Sequence, residues 1–169
     1  MAMDFIFIII ILIMSVVVHE VSHGYAALAL GDPTAKYQGR LTLNPFSHLD
    51  PIGSFLVPLL GYLTPAHFIM GWAKPVPFNP YNLRNQKWGE ALVAIAGPLS
   101  NISLAVIFGL AIRFFGPTIM NPAFLSLAGF VVFINITLAI FNLVPIPPLD
   151  GSKILFALLP YRLQYLRQS

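Results

Sequence analysis

The stretch FIFIIIILIMSVVVHEVSHGYAALAL, residues 5–30, decides the fold that this sequence predicts. Its only formally charged residue is Glu20. A helix needs about 20 apolar residues to cross the hydrocarbon core of a bilayer, and this stretch is long enough. It is followed by Gly31-Asp32-Pro33, which is typical of a helix end with a breaker behind it. We therefore predict a first transmembrane helix over residues 5–30.

The rest of the chain has the composition of a membrane protein. Of its 169 residues, 57% are hydrophobic and 9% are charged, whereas soluble domains have about 25% charged residues. Residues 91–115 and 124–143 are two further apolar runs long enough to span a bilayer. The remaining length leaves no room for a sizeable soluble domain. We predict an all-α polytopic membrane protein with three core transmembrane helices, forming one membrane-embedded domain over residues 1–169.

The connecting segments predict irregular structure near the membrane. Residues 52–70 are apolar but are interrupted by Pro58, Gly61 and Pro65, which favours a re-entrant or kinked segment. Residues 36–44 alternate polar and apolar side chains, which predicts a short membrane-associated β-strand or hairpin. Residues 74–88 hold three prolines, which favours an extended loop or an edge strand.

The third span ends in a proline-rich break. After residues 124–143 the chain continues through three prolines to Asp150 and Gly151, and residues 152–159 are apolar again. Since proline cannot continue a helix, a broken helix at membrane depth is predicted. The chain stops soon after this, on the basic segment RLQYLRQS. We expect the natural protein to continue into further spans.

The basic residues predict the orientation in the cell membrane. Five of the nine lie between the first and second spans and three follow the third, so both regions are expected in the cytoplasm and the N-terminus outside. Counting about 1.5 Å per residue from Asp4, His19 lies roughly 22 Å into the bilayer, nearer the cytoplasmic face. Because eight of the nine basic residues lie outside the apolar spans, the partners expected are lipid and membrane proteins rather than nucleic acid.

The strongest chemical motif is His19-Glu20-Val21-Ser22-His23. Histidines four residues apart lie on one helix face, where both imidazoles can reach one metal ion. Glu20 falls about 100° around the helix, within reach of a metal-bound water. The alternative is that these groups are polar residues of a bundle interior, bonded to one another or to backbone. Each ionisable group at membrane depth costs about 2.5 to 3.5 kcal/mol, which favours the metal site.

Asp150 is the candidate third ligand. A catalytic zinc usually takes three protein ligands, and a chain without cysteine must supply nitrogen and oxygen donors. The other aspartates and Glu90 flank loops or lie at the far end of the first span. The alternative role for Asp150 is the N-cap of a helix that starts at Gly151.

Three motifs in this order resemble the site-2 protease family of intramembrane zinc metalloproteases. They are His19-Glu20-x-x-His23, the segment AGPLSN at residues 96–101, and NLVPIPPLDG at residues 142–151. The resemblance covers nearly the whole chain and looks like the short members without PDZ and CBS domains. Many members carry a helix before the HExxH helix and further helices after the aspartate motif, and this sequence shows neither.

The resemblance implies a complete set of roles. His19, His23 and Asp150 would bind one Zn²⁺ ion per chain, and Glu20 would activate the zinc-bound water as catalytic base and then act as acid. Asn142 would contact the substrate or the oxyanion, with Asn101 as a supporting polar residue. The alternative for either asparagine is a hydrogen bond between helices. The substrate would be a transmembrane protein, cut within or near its membrane span.

Two other functions are compatible with these residues, and two histidines have no assigned role. A zinc transporter would need ligands relayed along a pathway, and a metal-dependent lipid hydrolase would use the same kind of centre. An exposed strand over residues 36–44 would hold an unwound substrate by pairing with it. His48 and His67 lie beside prolines without a second ligand at helical spacing, which favours loop positions for both.

Overall fold

Three long helices form the frame of the protein. The computed structural model describes residues 2–50, 52, 73–119 and 121–159. The long helices are α1 (Ala2–Ala29), α3 (Gly89–Ile119) and α4 (Pro122–Leu143), and the short ones are α2 (Thr34–Tyr37) and α5 (Asp150–Leu158). Two 3-10 turns, Pro45–His48 and Pro80–Asn82, lie in the connections. The segments Ile6–Ala29, Gly89–Gly116 and Pro122–Leu143 are long and apolar enough to cross a membrane, which confirms three apolar helices at the predicted positions.

The three long helices contact one another, and small or polar residues fill the space between them. Ser15 on α1, Asn101 on α3 and Asn135 on α4 are buried, whereas large apolar side chains such as Ile10 and Phe133 are exposed. Lipid tails are as apolar as leucine, so helices in a bilayer associate through close packing and interhelical hydrogen bonds. This distribution is the one expected of a multi-pass membrane protein.

The predicted helix break after the third span is present. Helix α4 ends at Leu143, and α5 begins at Asp150. Gly151 allows the two helices to meet, because a Cβ atom at this position would collide with the carbonyl groups of Leu143 and Val144. After the break, α5 packs against α3.

The prediction of a strand over residues 36–44 is wrong. Helix α2 extends to Tyr37, Gly39 turns the chain at φ +64°, and the described residues contain no β-strand. The N–H of Arg40 donates back to the carbonyl of Ala35 at 2.9 Å, closing a turn instead of entering a ladder. Alternating polarity does not specify a pairing partner, and here the described part of the chain offers none.

The other two connections have different outcomes. Residues 73–79 have no regular secondary structure, and a 3-10 turn follows, so the loop prediction for residues 74–88 is confirmed and the edge strand is not. Of the predicted re-entrant segment at residues 52–70, only Ile52 lies within the described residues.

Candidate metal centre

Three side chains from two distant parts of the chain converge on one point. The Nε2 atoms of His19 and His23 are 3.0 Å apart, and each lies 3.1 Å from Oδ2 of Asp150. All three residues are buried. They form the one group of at least three His, Asp or Glu side chains among the described residues that could hold a metal ion.

The helices account for this convergence. His19 and His23 are one turn apart on α1, with ring centroids 4.6 Å apart. Asp150 is the first residue of α5. The N-cap of this helix is Leu149, and no side chain makes a capping hydrogen bond. The carboxylate instead contacts the imidazoles through Oδ2 and the ammonium of Lys153 through Oδ1 at 3.2 Å. The N-cap role considered for Asp150 is therefore wrong.

Helix α3 supplies the acceptors that orient both imidazoles. Val93, Gly97 and Asn101 follow at four-residue intervals and so lie on one face. The Nδ1 atom of His23 lies 2.7 Å from the carbonyl oxygen of Val93, and Nδ1 of His19 lies 2.6 Å from Oδ1 of Asn101. Between them, a Cβ atom at Gly97 would collide with both imidazoles, so only glycine lets α3 approach this closely.

A chain of buried hydrogen bonds fixes which atom of Asn101 faces His19. Asn135 Nδ2 donates to the carbonyl of Val131 and to Ser15 Oγ, both at 2.9 Å. Its Oδ1 therefore accepts from Asn101 Nδ2 at 2.7 Å, which leaves Oδ1 of Asn101 for the imidazole. Since that oxygen only accepts, His19 must donate through Nδ1. The carbonyl of Val93 imposes the same tautomer on His23.

These tautomers create the need for a cation. With Nδ1 protonated, Nε2 of each neutral imidazole is an acceptor, and it faces both the other Nε2 and a carboxylate oxygen. Three buried lone pairs about 3 Å apart repel one another unless a proton or a metal ion lies among them. A tetrahedral zinc with bonds of about 2.0 to 2.1 Å holds its ligand atoms about 3.3 Å apart, close to these distances. The donor set and its spacing fit Zn²⁺.

The three candidate ligands open onto a cavity of about 150 Å³. Glu20, the predicted base, lines this cavity, and its Oε2 accepts the N–H of Val76 at 2.9 Å. Asn142 also lines it, while its Nδ2 donates to the carbonyl of Leu138 one turn earlier at 2.9 Å. Lys153 lines the same cavity with its ammonium 5.8 Å from the ring centroid of Phe78. The structure thus brings together all five residues that the sequence singled out, His19, Glu20, His23, Asn142 and Asp150.

Three other residues considered in the sequence analysis have different positions. Asn101, expected as a supporting residue, contacts His19 directly and is fully buried. His48 is buried away from the cluster, and its Nε2 lies 2.8 Å from the carbonyl of Thr42. His67 lies outside the described residues.

Sequence reasoning missed several contributors to this centre, including the carbonyl of Val93, which faces His23, and the ammonium of Lys153, which contacts Asp150. Asn135 and Ser15 complete the hydrogen-bond chain behind Asn101, and Val76 contributes a backbone N–H to Glu20. An asparagine in an apolar span is costly at membrane depth, and this signal could have identified Asn135. Backbone groups carry no such signal, so the role of Val76 could not be found from the sequence.

The comparisons with known proteins identify the family. The profile of "Peptidase family M50" matches residues 114–168. A Bacillus subtilis (strain 168) protein named "Putative zinc metalloprotease YwhC" is 41% identical over 160 residues, which cover 91% of this chain and 69% of that protein. "Putative zinc metalloprotease Rip2" of Mycolicibacterium smegmatis is 33% identical over 140 residues, covering 82% of this chain and 52% of that protein.

A more distant relative has the same kind of name. "Zinc metalloprotease MJ0392" of Methanocaldococcus jannaschii is 27% identical over 161 residues, which cover 95% of this chain and 36% of that protein. No solved structure matches the chain significantly. The names of the relatives give Zn²⁺ as the metal, in agreement with the donor set. The chain therefore belongs to peptidase family M50, the site-2 protease family of zinc metalloproteases.

Proposed function

We propose that this protein is an intramembrane zinc metalloprotease that hydrolyses peptide bonds within or near the transmembrane segments of membrane proteins. The observation that carries the proposal is the position of the buried donor triangle inside the helical frame. His19 and His23 lie within the apolar span Ile6–Ala29, and the cavity is bordered by Asn142 of the span Pro122–Leu143. A protease with this centre acts at membrane depth, on substrates that reach it through the bilayer.

In this proposal His19, His23 and Asp150 hold the zinc ion. When bound, zinc polarises a carbonyl group and lowers the pKa of water to about 7. Asn101 and Val93 keep Nε2 of each imidazole deprotonated and aimed at the ion, as neighbouring groups do in other zinc sites. Lys153 holds the second oxygen of Asp150 and so favours a single-oxygen contact with the metal.

Glu20 is the proposed general base and acid. It adjoins His19 in sequence and lines the cavity beside the ligands, with one carboxylate oxygen held by the N–H of Val76. The carboxylate takes a proton from the attacking water and passes it to the leaving amine of the cleaved peptide. Proton transfer by a positioned side chain contributes about 10²- to 10⁴-fold to a rate.

Asn142 is the proposed contact for the oxyanion. Its Nδ2 carries two hydrogens, of which one is used on the carbonyl of Leu138. The second hydrogen is available to a carbonyl oxygen that becomes negative during attack. One such donor contributed about 3 to 4 kcal/mol in another protease.

The substrate must unwind before it can be cut. Peptide bonds in a membrane helix are occupied by the helix's own hydrogen bonds, so helix-breaking residues near the cleavage point should favour hydrolysis. The strand expected over residues 36–44 is absent from the structure, and pairing of substrate with that segment is not carried forward.

We also propose how the chain is organised and oriented. It forms one membrane-embedded domain over residues 1–169, with its N-terminus outside and its metal centre nearer the cytoplasmic face. The chain spans about two thirds of the B. subtilis relative and about half of the M. smegmatis relative. Cysteine accessibility at Asp4→Cys and Lys87→Cys in intact cells tests the orientation, because only the first is expected to react with an impermeant thiol reagent.

The two rival functions have less support. A zinc carrier needs further ligand groups along a pathway, and among the described residues only one group is suited to hold a metal. A lipid hydrolase would release fatty acid from liposomes that contain no protein substrate. Both activities are measured as zinc flux and fatty-acid release in the proteoliposomes used for the cleavage test.

The test compares the native chain with Glu20→Gln on a panel of single-span membrane proteins in liposomes. Native protein is expected to cut at least one substrate, and Glu20→Gln is expected to lose about 10²- to 10⁴-fold in rate while keeping its zinc. Glu90→Gln is the matched control, since Glu90 is outside the described lining of the cavity. Equal cleavage by native protein and Glu20→Gln would show that Glu20 is not the base.

A further inference from the structure

The irregular segment at residues 73–79 lines one side of the cavity and contacts Glu20. Its central residue, Val76, is 6% exposed and donates its backbone N–H to Oε2 of Glu20 at 2.9 Å. Pro75 and Pro77 flank Val76, and prolines have fixed φ angles and no N–H. Val76 is therefore the one possible backbone donor in the run 75–77, and it points at the carboxylate.

A buried arginine holds the beginning of this segment. Arg40 is 8% exposed, and its Nη2 donates to the carbonyl of Lys74 at 2.8 Å and to that of Pro75 at 3.3 Å. The N–H of Lys74 donates to the carbonyl of His48 at 2.8 Å. These bonds occupy both backbone groups of Lys74 and fix the chain just before Val76.

A buried aspartate holds the end of the segment. Asp32 is fully buried, and its Oδ2 accepts the N–H of Asn79 at 2.6 Å. Its Oδ1 accepts Nδ2 of Asn82 at 2.8 Å. The N–H of Asp32 donates to the carbonyl of Ala27 on α1, so this anchor is joined to the helix that carries Glu20.

We propose that Arg40 and Asp32 are positioning residues for Glu20, acting through the backbone of residues 73–79. They hold the Val76 N–H in place, and this N–H fixes one oxygen of Glu20 while the other stays available to water. The proposal rests on the assignment of Glu20 as the base. A carboxylate held in this way loses less rotational freedom during proton transfer, which lowers the barrier to the reaction.

The direct test removes the N–H without removing the residue. Val76→Pro lacks the donor, and Val76→Ala keeps it while losing similar side-chain volume. We expect kcat of Val76→Pro to be about 10- to 100-fold below that of Val76→Ala, the range for a hydrogen bond to a charged group. KM and bound zinc should agree between the two variants. Equal kcat values would overturn the proposal.

A double-mutant cycle separates positioning from damage to the fold. Aspartate is one methylene shorter than glutamate, so in a Glu20→Asp background the carboxylate no longer reaches the Val76 N–H. The ratio of kcat between Val76→Ala and Val76→Pro should then fall to about 1, which is the coupling expected of groups in contact. The same ratio in both backgrounds would mean that the proline acts elsewhere, and the proposal would fail.

The anchors are tested by conservative pairs. Arg40→Lys keeps one donor and Arg40→Met keeps none, so kcat should decrease from native to Lys to Met with zinc content unchanged. Arg84→Met is the control for loss of charge, because Arg84 is exposed in the same region. Asp32→Asn keeps an acceptor and should exceed Asp32→Ala in kcat. If Glu20→Gln is inactive while all these variants match the native kcat, positioning is refuted and the base assignment stands. If Glu20→Gln cleaves as fast as native protein, the assignment of Glu20 as the base fails, and the positioning proposal that rests on it fails with it.

Discussion

The metal centre and the segment beside it are held in different ways. The candidate ligands are carried by helices and oriented mainly by side chains, with Asn101 and Asn135 behind His19. Glu20 is instead held by a backbone N–H from a loop, and buried charges fasten that loop at its two ends. A metal site carried by helices tolerates little movement of those helices, whereas the conformation of the loop can change without loss of the metal. The two regions should therefore respond to mutation differently.

The largest effect is expected where the helices meet the ligands. Gly97→Ala adds a Cβ atom that collides with both imidazoles, so we expect loss of bound zinc and of cleavage. Gly109→Ala is the matched control on the same helix, because a Cβ atom there meets nothing within 4 Å. Zinc content per chain after dialysis measures both. A normal zinc content in Gly97→Ala would contradict the close packing of α3 against the two imidazoles.

An intermediate effect is expected behind the ligands. Asn101→Leu removes the acceptor for His19 Nδ1, and loss of such partners weakens metal binding by about 10- to 100-fold. Asn135→Leu should cost less, because it only frees Asn101 to rotate. Zinc affinity is measured by competition with a chelator. A larger loss of zinc affinity in Asn135→Leu than in Asn101→Leu would contradict the chain of hydrogen bonds.

The smallest effect is expected at the loop anchor and depends on pH. Burial raises the pKa of Asp32, but hydrogen bonds from Thr34, Asn82 and the N–H of Asn79 outweigh it and bring the pKa below its usual value. A carboxyl with a lowered pKa in the folded state stabilises the fold above its unfolded pKa, about 3.9, and loses this contribution as pH falls through the folded value.

Thermal unfolding of native protein and Asp32→Asn measures this contribution. The native protein should unfold at the higher temperature at pH 7, and the difference should shrink as pH falls below about 4. Bound zinc at pH 7 should be the same in both. A difference that grows on acidification would have the wrong sign for a stabilising carboxylate.

The sequence predicted the parts of the site that depend on side-chain spacing. Hydropathy located the long apolar helices, the four-residue interval placed His19 and His23 together, and elimination combined with family resemblance singled out Asp150 as the candidate third ligand. The strand over residues 36–44 was wrong because alternation does not reveal whether a neighbouring strand exists. The contacts of Val76 and Val93 involve backbone groups, which any residue type could supply. Such contacts depend on tertiary packing and could not be predicted.

We propose above all that His19, His23 and Asp150 share one zinc ion. Zinc-edge X-ray absorption, combined with metal analysis of native protein and of Asp150→Ala, tests this most directly. We expect one zinc per chain with two imidazole nitrogens and a carboxylate oxygen at about 2.0 to 2.2 Å, and loss of the ion in the variant. Zinc that binds with fewer than two imidazoles, or that stays with unchanged ligands in Asp150→Ala, would contradict it.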